Sequence, residues 1–188
     1  MYGQRAPGQV RRSPSVPAHW PIRRHVAAAE NDTGPGPLHS VEVTVPAKTN
    51  LTLHVGPAHE EWGGRHALDT IYCAIGVNDV VTATAKTPGS GFSLELSGEH
   101  LGDLASSGSD MRRNHAVIAL FAIARAAGRE PDVALHVDKH IPVGAGLGGG
   151  SADAAATLLA VNILWGLHWP IERLRDIAAT LGADMPSA

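Results

Sequence analysis

Apolar residues first fall into a clear pattern where they occupy every second position. Val41, Val43 and Val45 alternate with Glu42 and Thr44, and Leu51, Leu53 and Val55 alternate with Asn50, Thr52 and His54. That is the period of half-buried strands. Pro46-Ala47-Lys48 separates the two runs and reads as a bulge, because proline gives no N–H to a central ladder. The break would bring Lys48 and Asn50 near one another at a bend. Residues 57–64 read as a loop, and 68–77 and 79–85 as two further strands. Phe92, Leu94 and Leu96, alternating with Ser93, Glu95 and Ser97, make another.

After a polar, Ser- and Gly-rich connection at 98–110 the period changes. Residues 114–127 are apolar on nearly every face, which predicts a buried helix ended near Gly128. Val133, Leu135 and Val137 define a strand that runs into a glycine-rich segment. Residues 151–167 form a second buried helix, with Ala152, Ala154, Ala155 and Ala156 in its first turns. Ile171, Leu174, Ile177 and Leu181 mark a shorter amphipathic helix, with Pro170 suited to its first turn and Gly182 to its C-cap. The order strands, helix, strand, helix, helix predicts an α+β domain without internal repeats.

Composition narrows the class. A chain of 188 residues suits one domain with a proper core. The net charge of -3 points to neither nucleic acid nor an anionic membrane as partner. The longest apolar run, 116–124, is far shorter than the ~20 residues of a membrane span. Cys73, the one cysteine, forms no internal disulfide, which fits a reducing cytoplasm, and its apolar strand predicts core packing. Residues 1–37 carry Arg5, Arg11, Arg12, Arg23 and Arg24, several prolines and no acid before Glu30. They read as a disordered basic tail outside the fold, leaving residues 38–188 as the domain.

Candidate chemistry centres on Pro142-Val143-Gly144-Ala145-Gly146-Leu147-Gly148-Gly149-Gly150-Ser151-Ala152. Residues without Cβ let backbone N–H groups approach a ligand, and the following helix points its positive end at the same spot. Such a loop attracts phosphate, and a side chain at Gly148 is expected to intrude on the space a phosphate needs. Gly144, Gly146 and Gly149 satisfy G-x-G-x-x-G, yet the region ~20 positions on, where a dinucleotide site wants an acid at a strand end, holds Gly166-Leu167-His168-Trp169 and then a helix. No G-K-[ST] closes the loop as in a Walker motif. His136, Asp138 and His140 alternate onto one strand face. They could form a weak metal site, but a solvated or hydrogen-bonded face is preferred because a dedicated site needs more converging ligands. His54, His59 and Glu60 show no ligand spacing.

The loop resembles the signature of the GHMP kinase superfamily. Pro46-Ala47-Lys48-Thr49-Asn50-Leu51, Gly64-Arg65-His66-Ala67-Leu68 and Leu181-Gly182-Ala183-Asp184-Met185-Pro186 resemble the branch that phosphorylates 4-diphosphocytidyl-2-C-methyl-D-erythritol in non-mevalonate isoprenoid synthesis. Asp138-Lys139 before the loop agrees. The resemblance covers about 41–186. It implies the GHMP N-terminal fold (ribosomal protein S5 domain 2-like), a mixed or antiparallel sheet with helices on one side, and a chain that stops before the family's second domain.

The resemblance further implies ATP and Mg²⁺ as cofactors. It makes Lys48 and Asp184 the catalytic pair, and gives the loop from Pro142 to Ala152, with Asn114, to the nucleotide. Ser151 would contact phosphate or Mg²⁺, and Asn50, His66 and Lys139 the small-molecule substrate. Asn114 could equally be a helix N-cap. Arg65 stands where the family places tyrosine; a guanidinium can stack on a base, and Trp62 is close by in sequence. Two alternatives stay open: an acceptor of homoserine or mevalonate type, and a nucleotide-binding remnant without turnover.

Overall fold

The computed structural model describes residues 22–26, 38–99, 101 and 111–181. Five strands form one sheet: β1 (Ile22–Val26), β2 (Leu38–His59), β3 (Arg65–Ala85), β4 (Ser93–Gly98) and β5 (Val133–Lys139), in the order β1-β2-β3-β5-β4. All pairings are antiparallel except β4 with β5. A parallel pair needs a crossover, and α1 (His115–Ala127) lies in it. α2 (Gly149–Leu164) follows the glycine loop, and α3 (Ile171–Ala179) follows α2.

Period-two patterning explains the layers. Val41, Val43 and Val45 of β2, Val81 and Ala83 of β3, and Val133, Leu135 and Val137 of β5 are all buried in one core. Register keeps them on one face, since Val43 pairs with Val81 and Val81 with Val137. Ala154, Leu158 and Val161 of α2 and Val117, Leu120 and Ile123 of α1 complete that core. The alternate positions, Glu42, Thr44, Thr82, Thr84 and His136, make a half-buried polar face. This is the mixed sheet with helices on one side that the resemblance implied.

Several expectations change. β3 is one long strand and not two, and β2 carries the expected bulge at Pro46/Ala47 but runs on, with further register shifts at Asn50/Thr52 and Val55/Ala58 that do not end the ladder. The supposed loop at 57–64 therefore shrinks to the Glu60–Trp62 turn with Gly63 and Gly64. Ile22–Val26, assigned by composition to the tail, pairs with β2 from Ile22↔Val43 to Val26↔Leu38. It satisfies a sheet edge whose N–H and C=O groups need partners, and Arg23 reaches Glu42 at 3.7 Å. Cys73 is half-buried on the β2–β3 ribbon and absent from the core cluster, because the ribbon extends beyond the helices that cover the sheet. Gly182, expected as the C-cap of the last helix, lies outside the described residues, and the C-cap of α3 is Thr180. No described helix is long and apolar enough to cross a membrane.

Candidate nucleotide site

Strand β5 delivers the chain to Ile141, which is fully buried, and α2 takes it away from Gly149. Between them Gly144, Gly146 and Gly148 hold φ of 76°, 74° and 75°, the left-handed region that residues with a Cβ enter only at a cost. α2 is capped by Gly148 with no side-chain hydrogen bond, and its first turn holds no acid. The first N–H groups of a helix have no intrahelical partner. The loop and this helix start line a cavity of about 360 Å³, with Arg113, Asn114 and His115 across from them.

The loop is anchored on both sides. The Lys48 backbone N–H donates to Leu147 O at 3.0 Å. A Cβ on Gly148 would lie 3.0 Å from Lys48 Cγ and 3.1 Å from Cε, so the lysine stem, not open phosphate space, fills that position. Gly150 leaves room for the His115 ring, which an added Cβ would strike. Lys48 Nζ donates to Asn50 Oδ1 at 2.9 Å and lies 5.3 Å from the Tyr72 ring centroid. Asn50 Nδ2 in turn donates to Thr70 Oγ1 at 2.7 Å. The expected bend at Pro46 does bring Lys48 and Asn50 together, at the edge of the loop.

The other anticipated residues are scattered. Asn114 is the N-cap of α1, its Oδ1 accepting from the Ala116 N–H at 2.9 Å, yet it also lines the cavity. Both earlier readings of this residue are therefore compatible. His66 is exposed on β3 beside Ala58, with Nδ1 2.8 Å from Gly56 O; it does not line the cavity. Asp184 lies outside the described residues. His136, Asp138 and His140 form a hydrogen-bonded face: His136 Nε2 meets Ser97 Oγ at 2.9 Å, Ser97 donates to Asp138 Oδ1 at 3.0 Å, and Asp138 Oδ2 meets His140 Nε2 at 3.0 Å. The His140 bond holds the Asp138 carboxyl below its usual range. Among the described residues no group of three or more His, Cys, Asp or Glu is placed to hold a metal ion.

Lys139, expected to contact the small-molecule substrate, does line the cavity, but its ammonium is engaged by carboxylates. It is 2% exposed, and its Nζ pairs with Asp79 and with Asp153 Oδ2, the latter at 2.7 Å. Burial pulls its pKa down, but the two carboxylates outweigh this and raise it. Asp79 and Asp153 were not singled out by sequence reasoning. The available signal was a lone acid inside an otherwise apolar element, since a fully buried Asp is rare unless paired. Asp153 Oδ1 is buried without a hydrogen-bond partner. Burial raises this carboxyl to about 7, with Lys139 opposing. A carboxyl that holds its proton longer when folded stabilises less as pH rises. Stability should therefore decline from about pH 4, the unfolded value, to about pH 7, by at most ~4 kcal/mol. Asp153→Asn should flatten that slope in urea titrations at several pH values; an unchanged slope would assign the dependence to another group.

A profile of the GHMP kinases N terminal domain matches residues 114–188, from the α1 cap through the glycine loop. The chain belongs to the GHMP kinase family and holds its N-terminal domain. It is 74% identical over 153 residues to the 4-diphosphocytidyl-2-C-methyl-D-erythritol kinase of Bifidobacterium adolescentis, which covers 81% of this chain and 50% of the relative. It is 80% identical over 147 residues to the kinase of the same name from Bifidobacterium longum subsp. infantis, covering 78% of this chain and 46% of the relative. A crystal structure of 4-(cytidine 5'-diphospho)-2C-methyl-D-erythritol kinase superposes with a TM-score of 0.59 at 35% identity, over 78% of this chain and 47% of that one. The chain thus spans about half the length of the curated relatives it matches. In this GHMP domain the glycine loop, Lys139 and the α1 start line one cavity, and Lys48 anchors the loop through Leu147.

Proposed function

We propose that the chain supplies the nucleotide-binding domain of a kinase that transfers the γ-phosphoryl group of ATP to the 2-hydroxyl of 4-diphosphocytidyl-2-C-methyl-D-erythritol, the substrate in its relatives' names. The observation that carries this reading is the left-handed glycine loop at the start of α2, where no side chain caps the helix, facing a cavity. Backbone N–H groups aimed at one point, with a helix dipole behind them, favour the α- and β-phosphates. Asn114 spends its Oδ1 on the cap, which leaves Nδ2 for the nucleotide.

Catalysis of phosphoryl transfer is chiefly positioning and charge stabilisation. The acceptor oxygen bonds to the γ-phosphorus as the bond to the β,γ-bridging oxygen breaks, and ADP leaves. Asp184 takes or orients the hydroxyl proton. Lys48 offsets charge on the attacking oxygen and the γ-phosphate, and Asn50 holds its ammonium at the edge of the loop. Mg²⁺ would be held chiefly by the nucleotide's phosphates, since this ion prefers oxygen ligands and commonly travels with phosphates, with Ser151, which lines the cavity, as the protein's oxygen donor. When bound, it would neutralise phosphate charge.

His66 reads the cytosine in this scheme. From Ala74, the partner of Lys48, to His66 the ribbon runs at most roughly 26 Å at the usual strand rise. A substrate that meets both residues must be extended, as a nucleoside diphosphate joined to a polyol is. Calorimetric titration should show ATP binding and no comparable NADH binding. ATP-dependent phosphorylation should favour the cytidine-linked acceptor over homoserine and mevalonate. Tight NADH binding without an ATP signal would overturn the kinase reading.

A further inference from the structure

Beneath the glycine loop lies a charge cluster that phosphate binding does not by itself require. Asp79, Lys139 and Asp153 are 0%, 2% and 4% exposed. Burying three ionisable groups is costly, and an apolar trio of similar volume often stabilises as well or better. What the ions add is direction. Asp79 Oδ1 accepts the backbone N–H of His140 at 2.6 Å and of Ile141 at 2.8 Å, the residues that enter the loop. Asp79 Oδ2 accepts from Lys139 Nζ. The same Nζ donates at 2.7 Å to Asp153, one turn into the helix that leaves the loop. It also sits 3.2 Å from where a Cβ on Gly149 would be, directly under the first residue of α2.

We propose that Lys139 is a positioning residue of the nucleotide site: by tying Asp79 on β3 to Asp153 on α2, it sets the span between the two ends of the glycine loop and the aim of the N–H groups at its exit. The inference rests on reading the loop as a phosphate cradle. Its reach is local, because one ammonium joins the loop's entry, held through Asp79, to its exit, held through Asp153. A purely stabilising cluster would act on the sheet as a whole.

Hydrogen–deuterium exchange of the full chain, without nucleotide, separates these roles. In Lys139→Met, peptides spanning 140–152 should exchange at least about tenfold faster, while peptides from 81–85 and 133–137 keep wild-type protection. Lys139→Arg, which retains a donor able to reach both carboxylates, should restore much of the protection. Calorimetric affinity for ATP should fall at least about tenfold in the methionine variant and recover in the arginine one. Asp153→Asn keeps the Lys139–Asp79 link and weakens only the helix side, so it should speed exchange at 149–152 more than at 140–142. If Lys139→Met does not fold, Asp153→Asn decides by the same two readouts. Loop exchange and ATP affinity within twofold of wild type in a folded variant would overturn the proposal, as would acceleration spread evenly over the sheet. If the wild-type chain itself binds no ATP, the phosphate reading falls, and the exchange pattern alone still judges the staple.

Discussion

Gly148→Val is expected to lower ATP affinity by at least about a hundredfold while leaving the domain folded. Two costs fall on one position. The backbone there has φ of 75°, where a β-branched residue is a genuine outlier and strain of about 1–3 kcal/mol accrues. The new Cβ would also sit 3.0 Å from Lys48 Cγ and 3.1 Å from Lys48 Cε, before the two methyl groups are counted. Either the loop leaves its conformation, which turns its N–H groups away from the cavity, or Lys48 swings out of reach of Asn50. The core strands lie outside this contact, so circular dichroism should report a native fold. Gly148→Ala, with the same φ problem but no branching, should fall between. Calorimetry that returns wild-type ATP affinity for a folded valine variant would show that the loop does not cradle phosphate.

Asp184→Asn should lower kcat by about 10²–10⁴-fold, the usual contribution of a positioned general base, with ATP affinity nearly unchanged. The loop holds the nucleotide; the carboxylate deals only with the acceptor hydroxyl. Lys48→Ala provides the contrast. Its backbone N–H still donates to Leu147 O, so the loop keeps that anchor. The ammonium beside Asn50 is lost, however, and the stem against Gly148 with it. Rate should drop, and ATP binding should weaken as well, because one charge serves both partners. Steady-state kinetics with the cytidine-linked acceptor, set beside calorimetric ATP titration, reads both quantities. An asparagine variant that keeps most of its turnover would reduce Asp184 to a residue that merely follows a helix end.

Most elements were legible because their signals are local. Alternation placed the strands, apolar length placed α1 and α2, and Gly128 and Asn114 marked the ends of α1, where the structure has the C-cap and the N-cap. Errors arose where a local signal was read as a boundary. The bulge read at Pro46 is there, but residues 57–59, read as loop, continue β2, because a ladder survives a register shift. The arginines around Ile22–Val26 suggested a tail, yet an edge strand tolerates charge on its open side.

By itself, then, the sequence determined the class of the domain, the glycine loop at a helix start, the nearness of Lys48 to Asn50 and the resemblance to the GHMP kinases. Each depends on residues a few positions apart, where backbone geometry leaves little choice. Only the tertiary structure decided that Lys139 is buried between Asp79 and Asp153, that the Lys48 stem fills the place of a Gly148 side chain, and that His115 stands under Gly150. Asp79 comes from sixty residues before Lys139. Nothing in the local pattern ties them, because a charge's partner is chosen by which strands the sheet sets side by side and by the cost of leaving it unpaired once buried.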